Sequence, residues 1–300
     1  MKFNFLISKQ ANFYFFVSNL SEWHFSCGKY HNAFWRKELG LFSLEEKEAL
    51  KRFKKIRCKH SAGKSLFELA FFTKKEPFLE LRKKMAANEY KAVAKIFDVL
   101  ENKFNLLYKK ELPLLKRWKN KLNIKINNET QTNSIIKILQ ILFKTSPTIK
   151  KCNVYLMFSS DGYTGGGANI DGKSVSLEIS HHSLENINHA ISIIWHEVIH
   201  LLFQSVFDLM LMKVLKNRQK SKIVNEIAIA SLFPRGILGE KFFKNKLVNK
   251  IYPKINTRQT KKILKLTESF VLRKKAFDET YVSKVFGTLM LPKRKHSAQN

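Results

Sequence analysis

Cysteine is scarce in this chain, and long apolar runs are missing. The 300 residues include three cysteines, Cys27, Cys58 and Cys152, which are scattered and odd in number. Such a set is not a disulfide framework, and it favours a reducing, cytoplasmic compartment over secretion. Because the sequence contains no stretch of 18 apolar residues, we also expect no transmembrane segment.

The N-terminus has only part of the pattern of a secretory signal peptide. Residues 3–17 are rich in aromatic side chains, but Lys9, Gln10 and Asn12 interrupt the apolar run. No pair of small residues at cleavage-site spacing follows closely. We therefore expect residues 3–17 to form a strand pair or another buried N-terminal element.

Acidic residues are few relative to basic ones. The chain has 55 Lys and Arg against 24 Asp and Glu, a formal net charge of +31. This charge indicates RNA, DNA or an anionic membrane as a partner. The alternative is compositional, because Lys, Asn, Ile and Phe are all abundant and all have A/T-rich codons. Sequence-specific contacts usually use arginine, and lysine dominates here, so we expect nonspecific attraction to polyanions rather than a dedicated nucleic-acid site.

The sequence predicts an α+β fold that is mainly helical. Ser43 and Glu46 form a capping-box pattern at the start of a basic, amphipathic helix. Cys152–Phe158 and Lys173–Ser180 are typical of strands and indicate a small antiparallel sheet. The predicted organisation is a helical N-terminal region (1–122), a polar linker (123–133), a catalytic domain (134–291) and a disordered basic tail (292–300).

The strongest motif is the pentapeptide His196-Glu197-Val198-Ile199-His200, which has the form H-E-x-x-H. On a helix, residues four positions apart lie on one face, about 6 Å from each other. Two such imidazoles can bind one zinc ion, and the adjacent glutamate can act on a water molecule there. The surrounding residues 191–203 are almost entirely apolar, which predicts a buried helix.

Zinc in a catalytic site needs a third protein ligand. Glu226 is the only acidic residue of a second predicted helix, 223–233, and an isolated carboxylate among apolar residues requires a cation. The alternative for Glu226 is a salt bridge to Lys220 or Lys222. Two other residues are candidates for the third ligand: His189, two turns before His196, and Asp208.

The motif followed by a glutamate on a second helix resembles the gluzincin group of zinc metallopeptidases. The resemblance covers residues 150 to about 235 and implies one zinc ion bound by His196, His200 and Glu226. It also implies an edge strand that binds extended substrate, for which the candidates are Gly165, Gly166, Gly167, Ala168 and Asn169. Aminopeptidases of this group have a glutamate where this chain has Ala168, so the resemblance favours an endopeptidase.

A second departure from the group concerns the residue that orients a zinc-binding histidine. Many gluzincins have an aspartate one turn after the third ligand, and here that position is Ala230. Another group must therefore fix the histidine tautomer, or the zinc site is weaker than in the group.

These observations together predict a zinc metallopeptidase acting on a peptide or protein substrate. Glu197 is the expected general base, and a tyrosine is expected to stabilise the oxyanion, with Tyr281 and Tyr163 as the candidates. Two other functions remain open: a zinc-binding scaffold without catalytic activity, and a polyanion-binding protein.

Overall fold

The computed structural model describes residues 1–23, 31–60, 66–126, 129–146, 150–159, 165–170, 173–179 and 186–290. Within them the chain forms four strands and twelve helices, which confirms the expected mainly helical α+β class. In chain order these are β1 (Lys2–Leu6), α1 (Lys9–Ser21), α2 (His31–Leu39), α3 (Leu44–Lys59), α4 (Leu66–Thr73), α5 (Pro77–Lys84), α6 (Ala87–Ile126), α7 (Glu129–Phe143), β2 (Lys151–Phe158), β3 (Gly166–Asn169), β4 (Ser174–Ile179), α8 (Ile187–Leu215), α9 (Arg218–Ala230), α10 (Ile237–Phe243), α11 (Thr257–Leu272) and α12 (Glu279–Met290).

The sheet is mixed, so the expectation of an antiparallel sheet is wrong. The strand order is β1-β2-β4-β3. β1 and β4 both run parallel to β2, and only β3 is antiparallel to its neighbour β4. Residues 3–17 were predicted to form a strand pair or another buried N-terminal element, and the second alternative is present, as strand β1 followed by helix α1. β1 pairs with a strand about 150 residues away, with Lys2 opposite Lys151.

The described residues fall into two compact units, and the division lies inside α8, between Glu197 and Val198. The first unit comprises residues 1–128 and 150–197, and the second comprises residues 129–149 and 198–300. These units do not follow the predicted boundaries, because the sheet belongs with the N-terminal helices. The described residues of the predicted linker 123–133 are helical, since α6 continues to Ile126 and α7 begins at Glu129.

The first unit is built on the sheet and on the 40-residue helix α6. The apolar periodicity of the sequence predicts a helix over residues 87–112, but α6 continues through Pro113 to Ile126. Leu114, Leu115 and Trp118 after the proline are buried, and this apolar stripe outweighs the roughly 3 kcal/mol that an internal proline costs. Buried Asn12 joins α1 to β2, donating to the carbonyl of Leu156 and accepting from the Phe158 amide.

The second unit contains α7, the C-terminal part of α8, and α9 to α12. Phe143 of α7 stacks on Phe203 of α8, with ring centroids 5.2 Å apart, and lies edge-to-face with Phe277. Asn256 begins α11 with a capping box, accepting from the Gln259 amide while the Gln259 side chain accepts from the Asn256 amide. The aromatic contacts pack α7 against α8 and against the segment that precedes α12.

Helix α8 is longer than the sequence predicted. The sequence predicted a buried helix over residues 191–203, but the helix continues to Leu215 and α9 begins at Arg218. By length and composition alone, α8 is also apolar enough to cross a membrane, although the sequence has no uninterrupted run of 18 apolar residues. The apolar window that meets this criterion is 28% buried, whereas Ile194 and Trp195 of the same helix are buried in the first unit.

Candidate metal centre

Helix α8 presents the H-E-x-x-H motif with its polar side chains partly exposed. The apolar residues between and beside them, Ile194, Trp195, Val198 and Ile199, are fully or almost fully buried. Trp195 is held edge-to-face by Phe3 of β1, with ring centroids 5.3 Å apart. The helix is therefore fixed by its apolar faces, while His196, Glu197 and His200 remain accessible to a ligand.

His200 lies beside Glu226 in the second unit. Its Nε2 is 3.4 Å from Oε2 of Glu226, and the two side chains are 15% and 44% exposed. The expectation that Glu226 is buried is therefore wrong, and burial does not by itself force a cation onto this carboxylate. Lys220, one of the alternative partners, places its ammonium over the ring of Phe286.

Nitrogen or oxygen atoms of His196, His200 and Glu226 all lie within 4.8 Å of one another. These are the three residues that the sequence predicted as ligands. In a tetrahedral zinc site with bonds of 2.0 to 2.2 Å, two ligand atoms are about 3.3 to 3.5 Å apart. The 3.4 Å between His200 and Glu226 matches that separation, and the two-imidazole, one-carboxylate donor set is suited to zinc.

The other candidates for the third ligand do not belong to this group. His189 lies in the first turn of α8, and its backbone amide donates to the Asn186 side chain. The Asp208 carboxylate accepts hydrogen bonds from Gln204 and from Asn225. Asp208 is therefore hydrogen-bonded to Gln204 and Asn225 and is not one of the three grouped side chains.

Sequence reasoning missed Gln204, whose Oε1 is 2.9 Å from Nδ1 of His200. Many gluzincins use an aspartate at the position of Ala230 to orient a zinc-binding histidine. Here the side chain of Gln204 contacts His200 and can fix its tautomer. A signal was present, because His200, Gln204 and Asp208 recur every four residues and so share one face of a helix. It was overlooked because the helix was expected to end before Gln204.

The glycine-rich segment forms β3, the edge strand of the described sheet, and lies against the motif. A methyl group at Gly166 would be 2.8 Å from Cγ2 of Ile193 and 2.9 Å from Cγ of Glu197. Only glycine allows the strand to approach α8 this closely. Gly165 accepts from the Glu178 amide, and Gly167, Ala168 and Asn169 pair with β4.

The proposed oxyanion role of Tyr281 requires correction. Tyr281 is fully buried, and its hydroxyl is 2.9 Å from Oγ1 of Thr267. Its ring stacks on Phe277 with centroids 3.9 Å apart, and burial raises the pKa of its phenol to about 12. A side chain enclosed in this way is part of the core and does not reach a substrate. Tyr163, the other candidate, lies outside the described residues.

Comparison with known proteins gives no match: no family model, no curated protein and no solved structure matches this chain. The resemblance to gluzincins therefore rests on the motif, on Glu226 and on the geometry of the residues around them.

Proposed function

We propose that this protein is a zinc-dependent hydrolase of peptide bonds. The observation that carries the proposal is the grouping of His196, His200 and Glu226 within 4.8 Å, on two helices, with Glu197 beside the first histidine. The three side chains provide the ligand set of a catalytic zinc site, which has three protein ligands and leaves one position open. A structural zinc site, in contrast, is usually closed and rich in cysteine, and none of these three residues is a cysteine.

The proposed reaction divides between the ion and the protein. A zinc ion held by His196, His200 and Glu226 would lower the pKa of a bound water to about 7 and would polarise the carbonyl group that is attacked. The Glu197 carboxylate takes one proton from the attacking water and transfers it to the amide nitrogen as the carbon–nitrogen bond breaks. The products are a free carboxyl group and a free amine, and Glu197 returns to its carboxylate form.

The substrate is proposed to lie along β3. In the described sheet, β3 pairs with β4 on one side only, so its other edge can accept an extended peptide as an added strand. Gly166 of this strand lies close to the side chain of Glu197, so a peptide bound along this edge would lie near the proposed base. Ala168 provides no carboxylate for a free α-amine, which favours cleavage within a chain.

The test is cleavage of an unfolded protein substrate by the full-length, zinc-loaded protein, with new termini identified by mass spectrometry. We expect Glu197→Gln to bind zinc normally and to lose at least 100-fold in rate, the lower range for removal of a general base. Glu240→Gln, a change at an exposed glutamate of α10, serves as the matched control and should cleave normally. Full activity in Glu197→Gln would contradict the proposed role of Glu197.

A second proposal follows from the net charge of +31, namely binding to polyanions. Electrostatic binding of this kind weakens steeply with salt, because it releases counterions from the nucleic acid. Binding to a mixed-sequence RNA should fall by orders of magnitude between 50 and 200 mM salt if several phosphates are contacted. Binding that is insensitive to salt would contradict the electrostatic account.

A further inference from the structure

A continuous chain of hydrogen bonds runs from His200 to the residue beside Glu226. Nδ1 of His200 is 2.9 Å from Oε1 of Gln204, and Nε2 of Gln204 donates to Oδ2 of Asp208 at 3.2 Å. Oδ1 of Asp208 accepts from Nδ2 of Asn225 at 2.5 Å. The first three residues lie on α8 and the fourth lies on α9, and all of them belong to the second unit.

The direction of this chain fixes the tautomer of His200. The Asp208 carboxylate only accepts hydrogen bonds, so the amide nitrogen of Gln204 must face it. The amide oxygen of Gln204 then faces His200, and Nδ1 of the imidazole must carry the proton. In the neutral ring Nε2 is therefore unprotonated, and this is the atom 3.4 Å from the Glu226 carboxylate.

The same chain fixes the position of Glu226 relative to His200. Asn225 directly precedes Glu226 and is 3% exposed, so its bond to Asp208 joins α9 to α8 at the site. Oδ1 of Asn225 is buried and accepts no hydrogen bond from the described residues. A buried acceptor without a donor is unfavourable, so Asn225 is a poor choice for stability alone.

We propose that Gln204, Asp208 and Asn225 form a positioning network for the metal centre. Gln204 holds His200 as the tautomer whose Nε2 binds the metal, Asp208 sets the direction of Gln204, and Asn225 holds Glu226 opposite His200. The inference rests on the proposed zinc site. The network takes the place of the aspartate that gluzincins have one turn after the third ligand, where this chain has Ala230.

The first test measures the tautomer in the zinc-free, full-length protein by nitrogen-15 NMR of the imidazole. At a pH where His200 is neutral, we expect the Nδ1-protonated form in the wild type. Gln204→Met, which has similar volume and no amide, should shift His200 towards the commoner Nε2-protonated form. A wild-type protein with the proton on Nε2 would overturn the proposed network without any reference to zinc.

The second test measures zinc affinity by competition with a chelator. We expect Gln204→Met to weaken zinc binding 10- to 100-fold, the usual effect of removing a group that orients a metal-binding histidine. The control is Gln131→Met, which removes a glutamine that donates to the Phe242 carbonyl within the same unit. It should lower the unfolding midpoint without changing zinc affinity more than about twofold.

A double variant tests whether Asp208 acts through Gln204. Asp208→Asn should weaken zinc binding on its own, and adding it to Gln204→Met should cost less than the product of the two separate effects. Purely multiplicative effects would contradict the coupling.

If the wild type binds zinc tightly and Gln204→Met binds it equally well, the network is refuted and the zinc site stands. If the wild type binds no zinc, both proposals fail.

Discussion

The close approach of β3 to α8 leads to a specific prediction for Gly166→Ala. The new methyl group would be 2.8 Å from Cγ2 of Ile193 and 2.9 Å from Cγ of Glu197, and both distances are too short for real contacts. Ile193 is 6% exposed and cannot easily move away, so the strand and helix must separate by some tenths of an ångström. Overpacking of this kind typically costs about 1 to 3 kcal/mol.

The neighbouring glycine provides the matched control. A methyl group at Gly167 would meet only Oγ of Ser176, at 3.1 Å, and a hydroxyl can rotate away. Neither glycine has a left-handed φ, so alanine is compatible with the backbone at both positions. Replacing glycine with alanine also stabilises by about 0.4 to 1 kcal/mol through the unfolded chain. Gly167→Ala should therefore lie within about 1 kcal/mol of the wild type, and Gly166→Ala should be clearly less stable.

Two measurements check this prediction. Urea unfolding should show a lower midpoint for Gly166→Ala than for Gly167→Ala. Peptide hydrolysis should show a reduced kcat for Gly166→Ala, since the methyl group displaces the side chain of the proposed base. Equal stability and equal kcat in the two variants would refute the contact between β3 and Glu197.

Three further predictions concern the core and the described cysteines. Tyr281→Phe should reduce stability by about 1 kcal/mol, because Thr267 loses one hydrogen-bond partner, and should leave peptide hydrolysis unchanged; a large loss of activity would contradict its place in the core. Burial raises the pKa of the Cys152 thiol to about 12, so at pH 8 a maleimide should label exposed Cys58 and spare Cys152 until the protein is unfolded, as peptide mapping would show. Asn256→Ala removes the capping box of α11 and should lower the free energy of unfolding by about 1 kcal/mol, whereas an unchanged urea midpoint would rule out that cap.

Local signals in the sequence predicted much of the fold. The capping box at Ser43 is present as expected and begins α3, because its hydrogen bonds involve only residues 43 and 46. The helices predicted over residues 191–203 and 223–233 are also present, within α8 and as the greater part of α9. These elements follow from apolar periodicity and from breaker residues, which act over one or two turns.

The errors involve packing and pairing that the local sequence pattern does not reveal. The pairing of β1 with β2 joins residues about 150 positions apart, and no local pattern in either strand identifies its partner. Helix α6 continues past Pro113 because its buried apolar contacts outweigh the free-energy cost of a proline inside a helix. Tyr281 was proposed for catalysis from its residue type alone, and only the structure shows Thr267 and Phe277 enclosing it.

The candidate site divides in the same way. The spacing of His196 and His200 on one helix is a local property, and the sequence was sufficient to predict it. Glu226 was predicted as a metal ligand on the ground that it is buried. Its carboxylate does lie 3.4 Å from His200, but its side chain is 44% exposed. The contacts of Gln204 with His200 and Asp208 depended on the full length of α8, which the sequence underestimated.

The most direct test of the central claim is the zinc content of the full-length protein. The protein would be equilibrated with zinc, dialysed free of excess metal and measured by inductively coupled plasma mass spectrometry. We expect one zinc ion per chain in the wild type and in Glu197→Gln, and less than a tenth of that in His200→Ala. A wild-type protein without zinc, or a His200→Ala variant that retains it, would contradict the assignment of His196, His200 and Glu226 as a metal centre.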